Sequence, residues 1–137
     1  MRTPILAGNW KMNKTVAEAV ALVQAMKSDL AAVDGVDCVL CPPFMAVPDV
    51  ARLLADAPIA VGAQDVHWET SGAFTGEVSP TMVREFCHYV IVGHSERREY
   101  FGETDETVNR KILAALAVGL VPIVCVGETL AQRQQGL

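Results

Sequence analysis

Five short runs of apolar, largely β-branched residues set the limits on what this chain can fold into: 5–9, 36–41, 59–63, 88–92 and 120–126. They are apolar at consecutive positions, so both faces of each strand must be covered. That is the pattern of a parallel sheet wrapped by helices. Their ends recur roughly every 22 to 33 residues, the spacing of consecutive strand–helix units. The expected class is therefore α/β, built from parallel (β/α) units, with residues 1–137 forming one domain.

The intervening segments carry helix signals. Thr15 and Glu18 make a T-x-x-E capping box, and Val16, Val20, Val23, Met26 and Leu30 follow on one helical face. Gly35 suits the exit from that helix. Pro42 and Pro43 end the second strand, after which Val47, Val50, Leu53 and Leu54 mark a helix. A long connection, 64–78, is rich in Gly, Ser and Thr and ends where Ser79 and Pro80 open the next helix as N-cap and first residue. Residues 93–102 read as a turn with a short helix. Thr104 then caps a longer one whose expected buried face is Val108, Ile112 and Leu116, and Thr129 begins another helical segment.

Several functional classes fall away. Sixteen acids against eleven Lys and Arg give a net charge of -5 and no uniform basic field for nucleic acid. Although 51% of residues are hydrophobic, the longest uncharged stretch, 112–126, is interrupted by Gly119 and Pro122. It falls short of the roughly 20 residues that cross a bilayer. No signal-peptide pattern opens the chain, so a cytoplasmic location is expected. The first strand–helix turn, Gly8-Asn9-Trp10-Lys11, lacks the glycine fingerprint that cradles a pyrophosphate, and no P-loop occurs. Cys38 and Cys41 form a C-x-x-C, but inside a strand an offset of three points the two sulfurs to opposite faces. A thiol or zinc centre ranks last.

Chemistry in such folds gathers at the carboxyl ends of the strands. Those ends carry Asn9 and Lys11, then Gln64 and Asp65, then His94, Ser95 and Glu96, and finally Cys125 and Glu128. Lys11 and His94 are the informative pair. His94 opens a helical segment whose terminal amides face its ring, and a neutral imidazole can donate a hydrogen bond to a carbonyl.

Ala7-Gly8-Asn9-Trp10-Lys11-Met12-Asn13, Gly62-Ala63-Gln64, Ser71-Gly72-Ala73-Phe74-Thr75-Gly76-Glu77, Val92-Gly93-His94-Ser95-Glu96-Arg97-Arg98 and Cys125-Val126-Gly127-Glu128-Thr129 occur in one order. Together they resemble the triosephosphate isomerase family. The resemblance implies a TIM-type (β/α)8 barrel that interconverts dihydroxyacetone phosphate and glyceraldehyde 3-phosphate in glycolysis and gluconeogenesis, without a cofactor or metal. It also implies a homodimer. By the same resemblance, Lys11 and His94 are catalytic, and Asn9 and Lys11 bind substrate. Ser95, Glu96 and Cys125 support the site, while Gln64, Thr75, Glu77 and Arg97 lie at the dimer interface, with Glu77 a partner for Arg97.

A (β/α)8 barrel typically takes about 250 residues, and five strands can be counted here. The family's general-base glutamate and its glycine-rich phosphate loops have no matching motif in these 137 residues: no Tyr-Gly-Gly-Ser or Glu-Pro-Val-Trp occurs. The expectation is an incomplete barrel with little or no isomerase activity by itself. It would be drawn to self-associate or to pair with a complementary half-barrel. A non-catalytic half-barrel that serves as an assembly or binding module is the alternative.

Overall fold

The computed structural model describes residues 2–137, and each apolar run forms a strand. In chain order the elements are β1 (Ile5–Asn9), α1 (Val16–Ala31), β2 (Asp37–Cys41), a 3-10 turn (Phe44–Ala46), α2 (Val47–Leu53), β3 (Ile59–Ala63), α3 (Pro80–Phe86), β4 (Tyr89–Val92), α4 (Ser95–Tyr100), α5 (Asp105–Ala117), β5 (Val121–Val124) and α6 (Leu130–Gln134). The five strands pair in sequence order, β1-β2-β3-β4-β5, and every pair is parallel. They curl into a half-barrel.

Three strands are shorter than the apolar runs suggest. Pairing starts at Asp37, Tyr89 and Val121 and stops at Val124 in the last strand. Residues just outside still bond to the neighbouring strand: His88 N–H donates to Val61 C=O, and Cys125 N–H to Val92 C=O. Pro122 sits inside β5 without cost to the ladder. Val121 and Cys125 donate toward β4, so alternation turns the Pro122 nitrogen away from it.

The two sheet faces pack differently. Cys38, Leu40, Val61, Val90 and Val92 face the helices and pack with Ala19, Val23, Val50, Val83 and Ala115. Val39, Cys41 and Ile91 pack together on the other face. Cys38 and Cys41 thus belong to separate clusters, as strand alternation requires. The sheet is well covered at its middle and open at its margins: Val39 is 0% exposed, whereas Leu6 in β1 is 65% and Val121 in β5 is 48%.

Two helix faces differ from the periodic reading. In α1 the fully buried residues are Ala19 and Val23, and Val16 is exposed. In α5 the buried face is Val108, Lys111 and Ala115, and Leu116 is exposed. In α5 the reason is electrostatic. The Lys111 ammonium bonds the Asp65 carboxylate at 2.7 Å and also the Glu103 carboxylate, so the charge is neutralised inside and the helix turns that face inward. Arg97 closes the network, 3.2 Å from Asp65 and 3.1 Å from Glu103. Burial pushes the Asp65 carboxyl above the usual carboxylate range, even though Lys111 and Arg97 pull it down.

A buried charge that loses its partner is expensive, because the desolvation cost stays when the attraction goes. Lys111→Met is therefore expected to lower folding stability by about 3 kcal/mol, read as a reduced midpoint in urea unfolding. A stability loss of less than about 0.5 kcal/mol, the size of an ordinary surface change, would show that the Lys111 pairing contributes nothing.

Candidate active site

The site is assembled by loops that leave the carboxyl ends of β1, β3 and β4. After β1 the chain enters Lys11 with φ +55°, a left-handed conformation that favours glycine. Polar side chains hold it there. Asn9 Oδ1 accepts from the Lys11 N–H at 2.9 Å, and Gln64 Nε2 donates to the Lys11 and Cys41 carbonyls, each at 2.9 Å. The Lys11 ammonium then reaches across to Glu96 Oε1 at 2.5 Å.

Gly93 makes the turn after β4. Its φ is +70°, and a Cβ there would come within 2.9 Å of Val108, so both backbone and packing require glycine. Arg98 fixes the same turn by donating to the Gly93 carbonyl at 2.9 Å, and it pairs with Asp105 at 2.7 Å. His94 is the N-cap of α4. Its Nδ1 accepts from the Glu96 N–H at 3.1 Å, which leaves Nε2 to carry the ring N–H. Glu96 thereby touches both partners: its backbone orients His94 and its carboxylate binds Lys11. The hydrogen bond from Lys11 holds the Glu96 carboxyl below the ordinary glutamate range, with the lysine charge adding to it.

Ser95 is the exposed first residue of α4. Cys125 is half-buried beyond β5, and burial raises its thiol against the pull of Arg98. A cavity of about 730 Å³ opens beside His94 and is lined by Ser95, Arg98, Cys125 and Glu128 among others. Lys11 stands outside that lining, on the opposite side of His94 from β5.

Lys11, Glu96 and His94 therefore come together, with Asn9 and Gln64 behind them. Thr75 and Glu77 do not join them; both are exposed on the 64–78 loop. Within this chain Arg97 bonds Asp65 and Glu103 rather than Glu77. The loop is closed at its base by the His67 N–H donating to the Val78 carbonyl at 2.9 Å, and the His67 ring packs on Trp68 and Phe74. Sequence reading missed the Asp65–Lys111–Glu103 network. A signal existed, since Lys111 falls in step with Val108 and Ala115 at intervals of three and four. The thiols offer little to a redox or metal centre: burial pushes Cys41 up to about 11 and Cys87 up to about 12. Among the described residues no cluster of three or more His, Cys, Asp or Glu side chains could hold a metal ion, and no helix is long and apolar enough to cross a membrane.

The family model for triosephosphate isomerase matches residues 4–137. The chain belongs to the triosephosphate isomerase family. It is 56% identical over 137 residues to the triosephosphate isomerase of Herpetosiphon aurantiacus, covering 99% of this chain and 55% of that relative. It is 52% identical over 136 residues to the enzyme of Dehalococcoides mccartyi, covering 99% and 54% respectively. The crystal structure of triosephosphate isomerase from Bartonella henselae superposes with a TM-score of 0.92 at 35% identity, over 98% of this chain and 56% of that one. The chain spans about half the length of the curated relatives it matches.

The Lys11–Glu96 pair gives a pH prediction. A carboxyl held low by its partner keeps that pairing above the ordinary glutamate range and loses it as the pH falls through the lowered value. A 13C titration of the Glu96 carboxyl should give a midpoint below that of a free glutamate, returning to the ordinary range in Lys11→Met. A midpoint that ignores Lys11 would mean the two groups are apart in solution.

Proposed function

We propose that this chain carries the electrophilic part of a triosephosphate isomerase active site, which interconverts dihydroxyacetone phosphate and D-glyceraldehyde 3-phosphate by proton transfer through an enediolate. The observation that carries this reading is the meeting of the Lys11 ammonium and the His94 ring at one pair of strand ends, bridged by Glu96. Removal of a proton next to a carbonyl places negative charge on the substrate oxygens. A fixed ammonium and an imidazole N–H stabilise that charge without moving when it forms. Such a role for a neutral histidine is already established for this family. Lys11 also offers a cation to the phosphate, and Asn9 holds the backbone from which Lys11 projects.

The proton itself needs a base. Glu96 is held by Lys11, Glu103 is buried with Lys111 and Arg97, and Glu128 pairs with Arg133 at 2.8 Å. Glu99 is exposed at the rim of the cavity beside His94. None matches the family's lid glutamate in its sequence motif. The base and phosphate loops would come from further strands of a closed barrel, and the exposed 64–78 loop with Thr75 and Glu77 would serve a homodimer. The open margins at β1 and β5 favour a second reading, a non-catalytic half-barrel that binds a complementary chain. Titration with a substrate analogue, with and without a chain supplying further strands, separates the two: binding only in the closed barrel supports the enzyme, and assembly without any analogue binding supports the module.

In a coupled isomerase assay, the 137 residues alone should turn over at least about 10²-fold more slowly than a barrel made by continuing them with the remaining strands of the Herpetosiphon aurantiacus relative. In that closed barrel, Lys11→Met and His94→Gln should each lower kcat/KM by about 10² to 10³-fold. Full activity in either variant would sink the reading.

A further inference from the structure

The segment that presents Lys11 is unusual in how it is held. Lys11 and Lys14 both adopt positive φ, +55° and +79°, and among the described residues no backbone–backbone hydrogen bond is made by residues 11–14. Trp10 is the last residue tied to the sheet, its N–H donating to the Cys41 carbonyl at 3.1 Å. Beyond it, side-chain amides replace the missing ladder. Asn9 takes the Lys11 N–H and Gln64 donates to the Lys11 carbonyl. Asn13 does something different: its Nδ2 donates to the Trp10 carbonyl at 2.8 Å.

That bond has the reach of a β-turn. In an ordinary turn the carbonyl of the first residue accepts from the backbone N–H of the fourth. Here Trp10 is the first residue, Asn13 the fourth, and the Asn13 side chain stands in for its backbone N–H. Lys11 is then the first central residue, the position that needs positive φ in the turn types dominated by glycine. Asn and Asp side chains commonly close such local rings. The Asn13 amide thus adds a third hold, beside those of Asn9 and Gln64, on a lysine in a backbone state that glycine favours, and φ turned negative would swing the side chain off its line to Glu96.

We propose that Asn13 is a positioning residue for Lys11: by closing the Trp10–Asn13 turn it holds the Lys11 backbone left-handed and aims the ammonium at Glu96 and at the substrate oxygens. The assignment rests on the function proposed above for Lys11. It places Asn13 one step behind the chemistry, since its amide donates to the Trp10 carbonyl and, among the described residues, makes no hydrogen bond to Lys11, Glu96 or His94. A misplacement of about 1 Å in a charge-stabilising group is enough to cost on the order of 10²-fold in rate.

The test is a cycle in the closed barrel described above, with wild type, Asn13→Ala, Lys11→Met and the double variant, and with Asn13→Asp added because an ionised carboxylate cannot donate to a carbonyl. If Asn13 acts through Lys11, Asn13→Ala and Asn13→Asp lower kcat/KM about tenfold or more when Lys11 is present. Asn13→Ala should change it less than twofold when position 11 is Met. The 13C midpoint of Glu96 should also rise toward the ordinary range in Asn13→Ala, a readout that needs no turnover and that a general loss of stability would not move. Equal losses in both backgrounds, or a Glu96 midpoint unchanged from wild type, would overturn the positioning role. A Lys11→Met barrel as active as wild type would instead overturn the proposed function, and the Glu96 titration would still decide whether Asn13 holds Lys11 in place.

Discussion

The Lys111 side chain is 5% exposed, and the desolvation of its ammonium is made good by the carboxylates of Asp65 and Glu103. Taking an ion out of water costs several kcal/mol, so those two carboxylates are held where the ammonium is, and Arg97 is held with them. The consequence reaches the site through the backbone. Asp65 follows Gln64, the side chain that grips the Lys11 carbonyl, and Arg97 follows Glu96, whose amide and carboxylate serve His94 and Lys11. Lys111 and Arg97, sharing the carboxylates of Asp65 and Glu103, therefore fix the loop after β3 and the helix after β4 relative to each other. The electrophiles inherit their geometry from that lock.

The strand ends supply rigidity, and side chains supply aim. β1 and β4 end where Asn9 and Val92 leave the sheet, and within two residues the chain has turned through a left-handed lysine on one side and a left-handed glycine on the other. Gly93 adopts its conformation freely. Lys11 does not, and it is kept there by the amides of Asn9, Asn13 and Gln64. The difference follows from what each position must present. The turn at Gly93 only delivers the next residue, whereas position 11 must itself carry a charged side chain to the site, and glycine has none.

Much of the architecture was legible because it is local. The two-faced apolar runs announced parallel strands, the Thr15, Ser79, Thr104 and Thr129 caps fall where the helices begin, and the sulfurs of Cys38 and Cys41 separate as alternation demands. Periodicity misled at α5, where counting only apolar residues set aside Lys111 and chose Leu116. A rule that excludes charges from the core fails when a partner distant in sequence neutralises one. Arg97 likewise finds its partners within the chain, Asp65 and Glu103, at positions that no local pattern marks.

The sequence by itself determined the strands, the helix starts and the set of residues carried to the sheet's carboxyl ends, because each depends on neighbours a few positions away. Tertiary structure decided which of those residues meet. The bonds that make the site and its lock join positions 85, 53 and 46 residues apart: Lys11 with Glu96, Lys11 with Gln64, and Asp65 with Lys111. Charge complementarity and the cost of burying an unpaired ion select such partners, and those forces act only once the strands have brought the groups into contact.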